Sequence, residues 1–303
     1  MKIPVRRAEV RVPGFLFAGV ACGLKENGRK DVALVFCERP AAAAGVFTRN
    51  RLPAPPVVLA RRRIRSGSIH AVLVNTKSAN AGTGAPGLAR ARESCRLAAA
   101  RLGVPERMVV PCSTGKIGLP LSLSKIRRGI RLAVDSLSAD GFWDAAEAIR
   151  TTDAFPKASV RQVTIGRERI TVAGLAKGAG MIHPDLATTL CFVLTDAPLD
   201  TARLDAILRA AVADTFNAIS VDGDTSTNDT VLLLSSGASG VAVPPRSGAE
   251  RRLASAVREV LGELARMIVA DGEGASKVVR VTVRRARSRG DADRAARAVA
   301  NSL

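Results

Sequence analysis

The chain has 303 residues, of which 47% are hydrophobic and only 3% aromatic, with no Tyr and one Trp. That length allows a large core in one or two domains, resting on Ala, Val, Leu and Ile. The net charge of +19 raises nucleic acid or an acidic surface as a partner. No apolar run approaches the ~18–20 residues of a membrane-spanning helix, so no membrane partner is expected.

Further classes fall away on residue type. Cys22, Cys37, Cys95, Cys112 and Cys191 are odd in number and scattered, with no C-x-x-C pair, which argues against a disulfide framework or a zinc ribbon. His70 and His183 are the only histidines, too few for a multi-histidine metal site. Basic clusters stand at 61–65 (RRRIR) and 284–289 (RRARSR). The aromatic interleaving of single-strand binders is missing, so the charge reads as a solvated surface and no nucleic-acid partner is expected. Arg6 and Arg7 precede an apolar stretch from Val12 to Cys22, but Pro13, Gly14 and Gly19 interrupt it. It is a poor secretion signal, and the expected location is the cytoplasm.

In chain order, residues 71–75 (AVLVN) form a short apolar run suited to a buried strand. Pro86 and Gly103 bracket an Ala/Arg-rich helix. Another helix follows Pro120, with Ile126, Ile130, Val134 and Leu137 inward. Residues 190–195 (LCFVLT) are strand-like, and Asp200 or Thr201 caps a helix whose stripe is Leu204, Ile207, Leu208, Ala211 and Val212. The run 231–234 (VLLL) is a further strand, and Leu253, Val257, Val260, Leu261, Leu264 and Ile268 line a long helix. Residues 278–283 alternate, with Val279, Val281 and Val283 opposite Arg280 and Thr282, and predict a strand. This alternation of strands and helices predicts a mixed α/β fold.

The polar, Gly-rich connections carry the chemistry. They are 75–84 (NTKSANAGTG), 112–118 (CSTGKIG), 176–189 (AKGAGMIHPDLATT), 222–229 (DGDTSTND) and 271–277 (DGEGASK). Gly-x-Ser-x-Gly and the P-loop are absent. Asp222, Asp224 and Asn228 resemble a calcium loop only faintly, because the spacing is wrong and the closing Glu is missing; a turn of Asx hydrogen bonds fits better. Thr188 follows a Lys-Gly-x-Gly turn and precedes the 190–195 strand. A hydroxyl needs an adjacent base to attack. A chain cut before a threonine supplies one, an α-amino group of pKa ~8. By themselves these residues leave Thr188 one threonine among several.

The ordered motifs AAAAGVFTRN (41–50), VNTKSANAGTG (74–84), CSTGKIG (112–118), AIRTTDAFPK (148–157), AKGAGMIHPDLATTL (176–190), VDGDTSTNDTVLLL (221–234) and DGEGASK (271–277) resemble the ornithine acetyltransferase (glutamate N-acetyltransferase) family of arginine biosynthesis. The likeness runs from Gly14 to Ser302. It implies an α/β fold of layered sheets and helices, with two lobes divided at a self-processed bond between Ala187 and Thr188. Residues 1–187 would form an α chain carrying the oxyanion hole, and 188–303 a β chain beginning at the nucleophile. Thr188 would then carry the acetyl group from N2-acetylornithine to glutamate by a ping-pong route. The resemblance places the oxyanion hole on Thr114 and Gly115. It places substrate contacts on Thr151 or Thr152, Lys177, Thr188 and Glu273. It implies no cofactor, acetyl-CoA entering only as an alternative acetyl donor in some members, and an α/β heterotetramer built from two processed precursors.

Several residues depart from the family pattern. Lys77 stands where the family has Gly, Gly82 where it has Cys, and Lys116 where it has an apolar residue; Lys116 is expected to reach solvent. Asp185, Leu186 and Thr189 are milder replacements of Asn, Met and Met. Family members also continue past the position of Leu303 through a segment that supplies an Asn and a Ser or Thr to the substrate site. Three expectations follow: a truncated sequence, a piece supplied by another chain, or a member of altered activity. Two other readings stand beside the transferase. One is a self-processing N-terminal-threonine amidase or aminopeptidase; the other is an inactive basic protein that binds nucleic acid.

Overall fold

The computed structural model describes residues 8–183 and 189–302. Eight strands form one continuous sheet: β1 (Phe15–Val20), β2 (Val32–Phe47), β3 (Ser68–Asn75), β4 (Val109–Ser113), β5 (Lys157–Ile165), β6 (Glu168–Lys177), β7 (Leu190–Thr195) and β8 (Thr230–Ser235). Their order is β4-β3-β2-β8-β7-β6-β5, with β1 pairing β2. The pairs β3–β4 and β7–β8 are parallel and the rest antiparallel.

The long strand β2 turns this sheet into two stacked halves. Residues 32–36 and 41–42 pair with β3, 42–47 pair with β8, and the register shifts between Phe36 and Ala41. Alternation along the strands then fills three layers of core. Ala33 and Val35 of β2, Val72 and Val74 of β3, Phe192 and Leu194 of β7, and Leu232 and Leu234 of β8 meet in one cluster between the halves. Their neighbours Val32, Leu34, Ala71 and Leu73 face outward under α2 (Gly84–Leu102) and α3 (Leu123–Asp135). On the other side Cys191, Val193, Val231 and Leu233 pack under α5 (Thr201–Ala213) and α6 (Gly248–Ala270). The result is a helix–sheet–sheet–helix sandwich.

The helices follow their sequence signals. Asp200 caps α5 by accepting the Arg203 N–H at 2.9 Å. Helix α2 begins at Gly84, two residues ahead of Pro86, and ends at the left-handed Gly103. The helix after Pro120 ends at Asp135, so Leu137 packs on the core from beyond it. Three more helices complete the chain: α1 (Pro55–Ile64), α4 (Phe142–Ala148) and α7 (Arg289–Ala300).

One expected element does not form. Residues 278–283 join no ladder, and Val278 and Val279 are 49% and 77% exposed. Alternation supplied an apolar face, but no neighbouring strand takes its backbone groups. All five cysteines are free and buried. No described helix is long and apolar enough to cross a membrane.

Candidate active site

Three polar loops from distant parts of the chain are laced together beside the stacked sheet halves. The loops after the parallel strands β3 and β4 leave side by side, from Asn75 and Ser113. Thr114 N–H donates to the Asn75 carbonyl at 3.0 Å, Lys116 N–H to Lys77 at 2.9 Å, and Gly118 N–H to Ala81 at 2.8 Å. The Ser113 hydroxyl donates to Asn75 Oδ1 at 2.6 Å. From the third loop, Asn228 Nδ2 donates to the carbonyls of Ala79 and Ser113 at 2.7 and 2.9 Å. Gly115 is fixed by sterics: its φ is +136°, and a Cβ there would lie 2.3 Å from the Lys77 carbonyl group.

These loops border a cavity of about 770 Å³. Thr114, Gly115, Thr151, Thr152, Lys177 and Glu273 all line it. Every predicted site residue within the described chain therefore meets in one place, and both threonines of the TTD motif face it. Ala187 and Thr188, the predicted cleavage pair, lie outside the described residues. Lys116 is exposed at the cavity rim, in line with the solvent-facing reading.

Electrostatics divide the walls. Lys177 is 4% exposed, and burial lowers its pKa against the opposing pull of Asp153. A buried ammonium facing a cavity is suited to a substrate carboxylate. Glu273 N–H donates to the Ala179 carbonyl at 2.7 Å, and its carboxylate lies against Gly180, where a Cβ would be 2.8 Å away. Four further cations, Lys25, Arg29, Lys77 and Lys116, reach the same cavity. Lys25 is lowered to about 8, first by burial and then by Arg29.

Three carboxylates that sequence reasoning missed hold this arrangement. Asp153 accepts from Lys157 Nζ, Gly178 N–H and Thr151 N–H at 2.7, 2.7 and 2.9 Å, so it shapes the TTD turn. Lys157 also pairs with Asp271 at 2.6 Å, which ties the TTD turn to the loop carrying Glu273. Burial pushes the Asp153 pKa up, but Lys177, Lys157 and the hydrogen bonds overcome it and hold it well below the usual range. Asp222 accepts from Met181 and Ile182 N–H at 2.6 and 2.8 Å, anchoring the chain on the approach to the predicted cleavage segment. Asp229 does the same from the far side, accepting Thr189 N–H at 2.8 Å through Oδ1. Its Oδ2 is buried with no hydrogen-bond partner, and burial raises its pKa well above the ordinary value. The clue to Asp222 and Asp229 was the 222–229 motif, read as an Asx turn. Asp222 does accept Asp224 N–H at 3.2 Å, as such a turn requires, but its main partners lie 40 residues away.

The model of the ArgJ family matches residues 16–303. The arginine biosynthesis bifunctional protein ArgJ of Geobacter sulfurreducens is 49% identical over 97% of this chain and 75% of its own length. Its counterpart from Symbiobacterium thermophilum is 48% identical over 95% of this chain and 73% of its own. Among solved structures, ornithine acetyltransferase of Mycobacterium tuberculosis, complexed with ornithine, is 34% identical with a TM-score of 0.52. That match covers 59% of this chain and 96% of the solved one. An L-aminopeptidase D-Ala-esterase/amidase from Ochrobactrum anthropi, described as a variant of the Ntn hydrolase fold, has a TM-score of 0.52 at 14% identity and 88% coverage of this chain. That likeness concerns the fold alone.

Proposed function

The chain belongs to the ArgJ family, and from that premise we infer that it is an acetyltransferase of arginine biosynthesis. We propose that it moves the acetyl group of N2-acetylornithine to glutamate after cutting its own chain between Ala187 and Thr188. One observation carries this reading. Thr114, Gly115, Thr151, Thr152, Lys177 and Glu273 come from four separate motifs and line a single cavity.

In the proposed processing step, the Thr188 hydroxyl attacks the Ala187 carbonyl carbon and the C–N bond between the two residues breaks. Water then hydrolyses the resulting ester. Residues 1–187 end in a carboxylate, and residues 188–303 begin with a free amine beside the nucleophilic hydroxyl.

In the transfer step that amine takes the hydroxyl proton while the oxygen attacks the acetyl carbonyl. The Thr114 hydroxyl and Gly115 N–H would stabilise the tetrahedral oxyanion, a role worth ~3–4 kcal/mol per donor in comparable enzymes. Collapse returns the proton to the departing ornithine nitrogen and leaves an acetyl ester on Thr188. In the second half-reaction glutamate's amine attacks the ester carbonyl and the acyl C–O bond to Thr188 breaks. The proton lost by the amine passes by way of the Thr188 α-amino group to the freed hydroxyl as N-acetylglutamate leaves. Lys177 is suited to the α-carboxylate that both substrates share, and Glu273 to an ammonium group. Two processed precursors would assemble as an α/β heterotetramer.

The test is release of ornithine from N2-acetylornithine with and without glutamate. We expect release to depend on glutamate, with parallel double-reciprocal plots. Release that proceeds equally well to water would favour an amidase, the reading that the shared fold with the aminopeptidase supports.

A further inference from the structure

Lys77 is held in a backbone conformation that its side chain disfavours. Its φ is +72°, a region that glycine enters freely and a β-carbon resists. The surroundings impose it. The Lys77 carbonyl accepts Lys116 N–H at 2.9 Å, and Gly115 packs so tightly on that carbonyl that it can carry no β-carbon. A lysine at such a position is an outlier that asks for a use of its side chain.

The side chain reaches the active-site cavity, where its ammonium lies 3.2 Å from the carboxylate of Glu26. Lys116 sits beside it, joined by the Ser78–Lys116 bridge. Glu26 is itself 85% exposed in its side chain, on a surface turn. The pair Lys77–Glu26 is therefore a γ-carboxylate held on a lysine of the cavity wall, which Lys25, Arg29 and Lys116 also line. Asp222, Asp224 and Glu273 supply the acidic counterpart in the same cavity.

The two substrates share an α-amino-acid head but carry opposite side-chain charges. We propose that Lys77, assisted by Lys116, is the subsite for the side-chain carboxylate of the glutamate acceptor, and that Glu26 competes for it as an internal surrogate. This inference rests on the transferase reading above. The subsite favours the acceptor half-reaction and disfavours the ammonium side chain of the donor.

The test uses the full chain with three variants, Lys77→Gly, Lys116→Gln and Glu26→Gln, rates being normalised to the processed fraction found by intact mass. In a ping-pong reaction kcat/KM for each substrate reports its own half-reaction. Lys77→Gly should lower kcat/KM for glutamate about 5-fold, the scale of one partly exposed ion pair, without lowering that for N2-acetylornithine. Lys116→Gln should act in the same direction and less. Glu26→Gln should raise kcat/KM for glutamate, an outcome that a merely structural role for this loop would not give. Equal losses for both substrates, or no gain with Glu26→Gln, would overturn the subsite. Wild type that transfers nothing to glutamate would sink the transferase reading instead. Calorimetric titration with glutamate then decides the subsite by itself: weaker binding to Lys77→Gly and tighter binding to Glu26→Gln sustain it, and equal or absent binding refutes it.

Discussion

Asp153 and Asp229 are both buried aspartates beside the same site, yet they are built in opposite ways. Asp153 is saturated, taking one ammonium and two backbone N–H groups, and its pKa is held low. Asp229 takes a single N–H, leaves Oδ2 without a partner, and its pKa is driven high. An acid surrounded by donors is scaffolding, because its charge is fully answered. An acid with an idle oxygen, beside the residue after the proposed nucleophile, costs stability, and acids perturbed in this way cluster at functional sites. One of each holds backbone next to the residues that line this cavity, Asp153 at Thr151 and Gly178 and Asp229 at Thr189.

The largest effect should come from Asp153. Asp153→Ala strands part of the charge of Lys157 and frees the TTD turn, so we expect a loss of about 3–5 kcal/mol in denaturant unfolding. The pH dependence has a definite sign. A carboxylate with a lowered folded pKa contributes stability above its unfolded value of ~3.9, and that contribution disappears as pH falls through the folded value. The stability gap between wild type and Asp153→Asn should therefore narrow in acid. A gap independent of pH would remove Asp153 from the scaffold.

Asp229 should show the reverse. Its raised folded pKa gives a contribution that is present below ~3.9 and lost as pH rises through the folded value. Asp229→Asn keeps an acceptor for Thr189 N–H and cannot ionise. Relative to wild type it should gain stability as pH rises above ~3.9, while Asp229→Ala should also slow processing by loosening the chain at Thr189. Equal processing in both variants would break the contrast with Asp153. The smallest effect belongs to Asp222, which holds the N–H groups of Met181 and Ile182 and has no charged partner among the described residues; the first bond is exposed and the second part-buried. Asp222→Ala should cost about 1 kcal/mol and slow processing modestly, read as the time course of fragment appearance on a denaturing gel.

Much of the fold was legible because its signals are local. The apolar runs at 71–75, 190–195 and 231–234 became β3, β7 and β8, and Asp200 and Gly103 mark helix ends as their chemistry predicts. Strand β2 was not visible, since its ERPAAAAG stretch has neither alternation nor β-branched residues. Its extended form comes from pairing with β3 and β8. The 278–283 stretch failed for the complementary reason, having pattern without partner. At the site, motif resemblance pointed to Thr114, Gly115, Lys177 and Glu273, which line one cavity. It did not reach the three aspartates, whose roles depend on which distant N–H groups the fold brings to them.

The central claim is that Thr188 divides this chain and then works as its nucleophile. Intact mass of wild type, Thr188→Ala and Thr189→Ala tests it most directly. Two fragments separated between Ala187 and Thr188 are predicted for wild type and Thr189→Ala, with one uncut chain for Thr188→Ala. An uncut wild-type chain, or fragments from Thr188→Ala, would contradict the account.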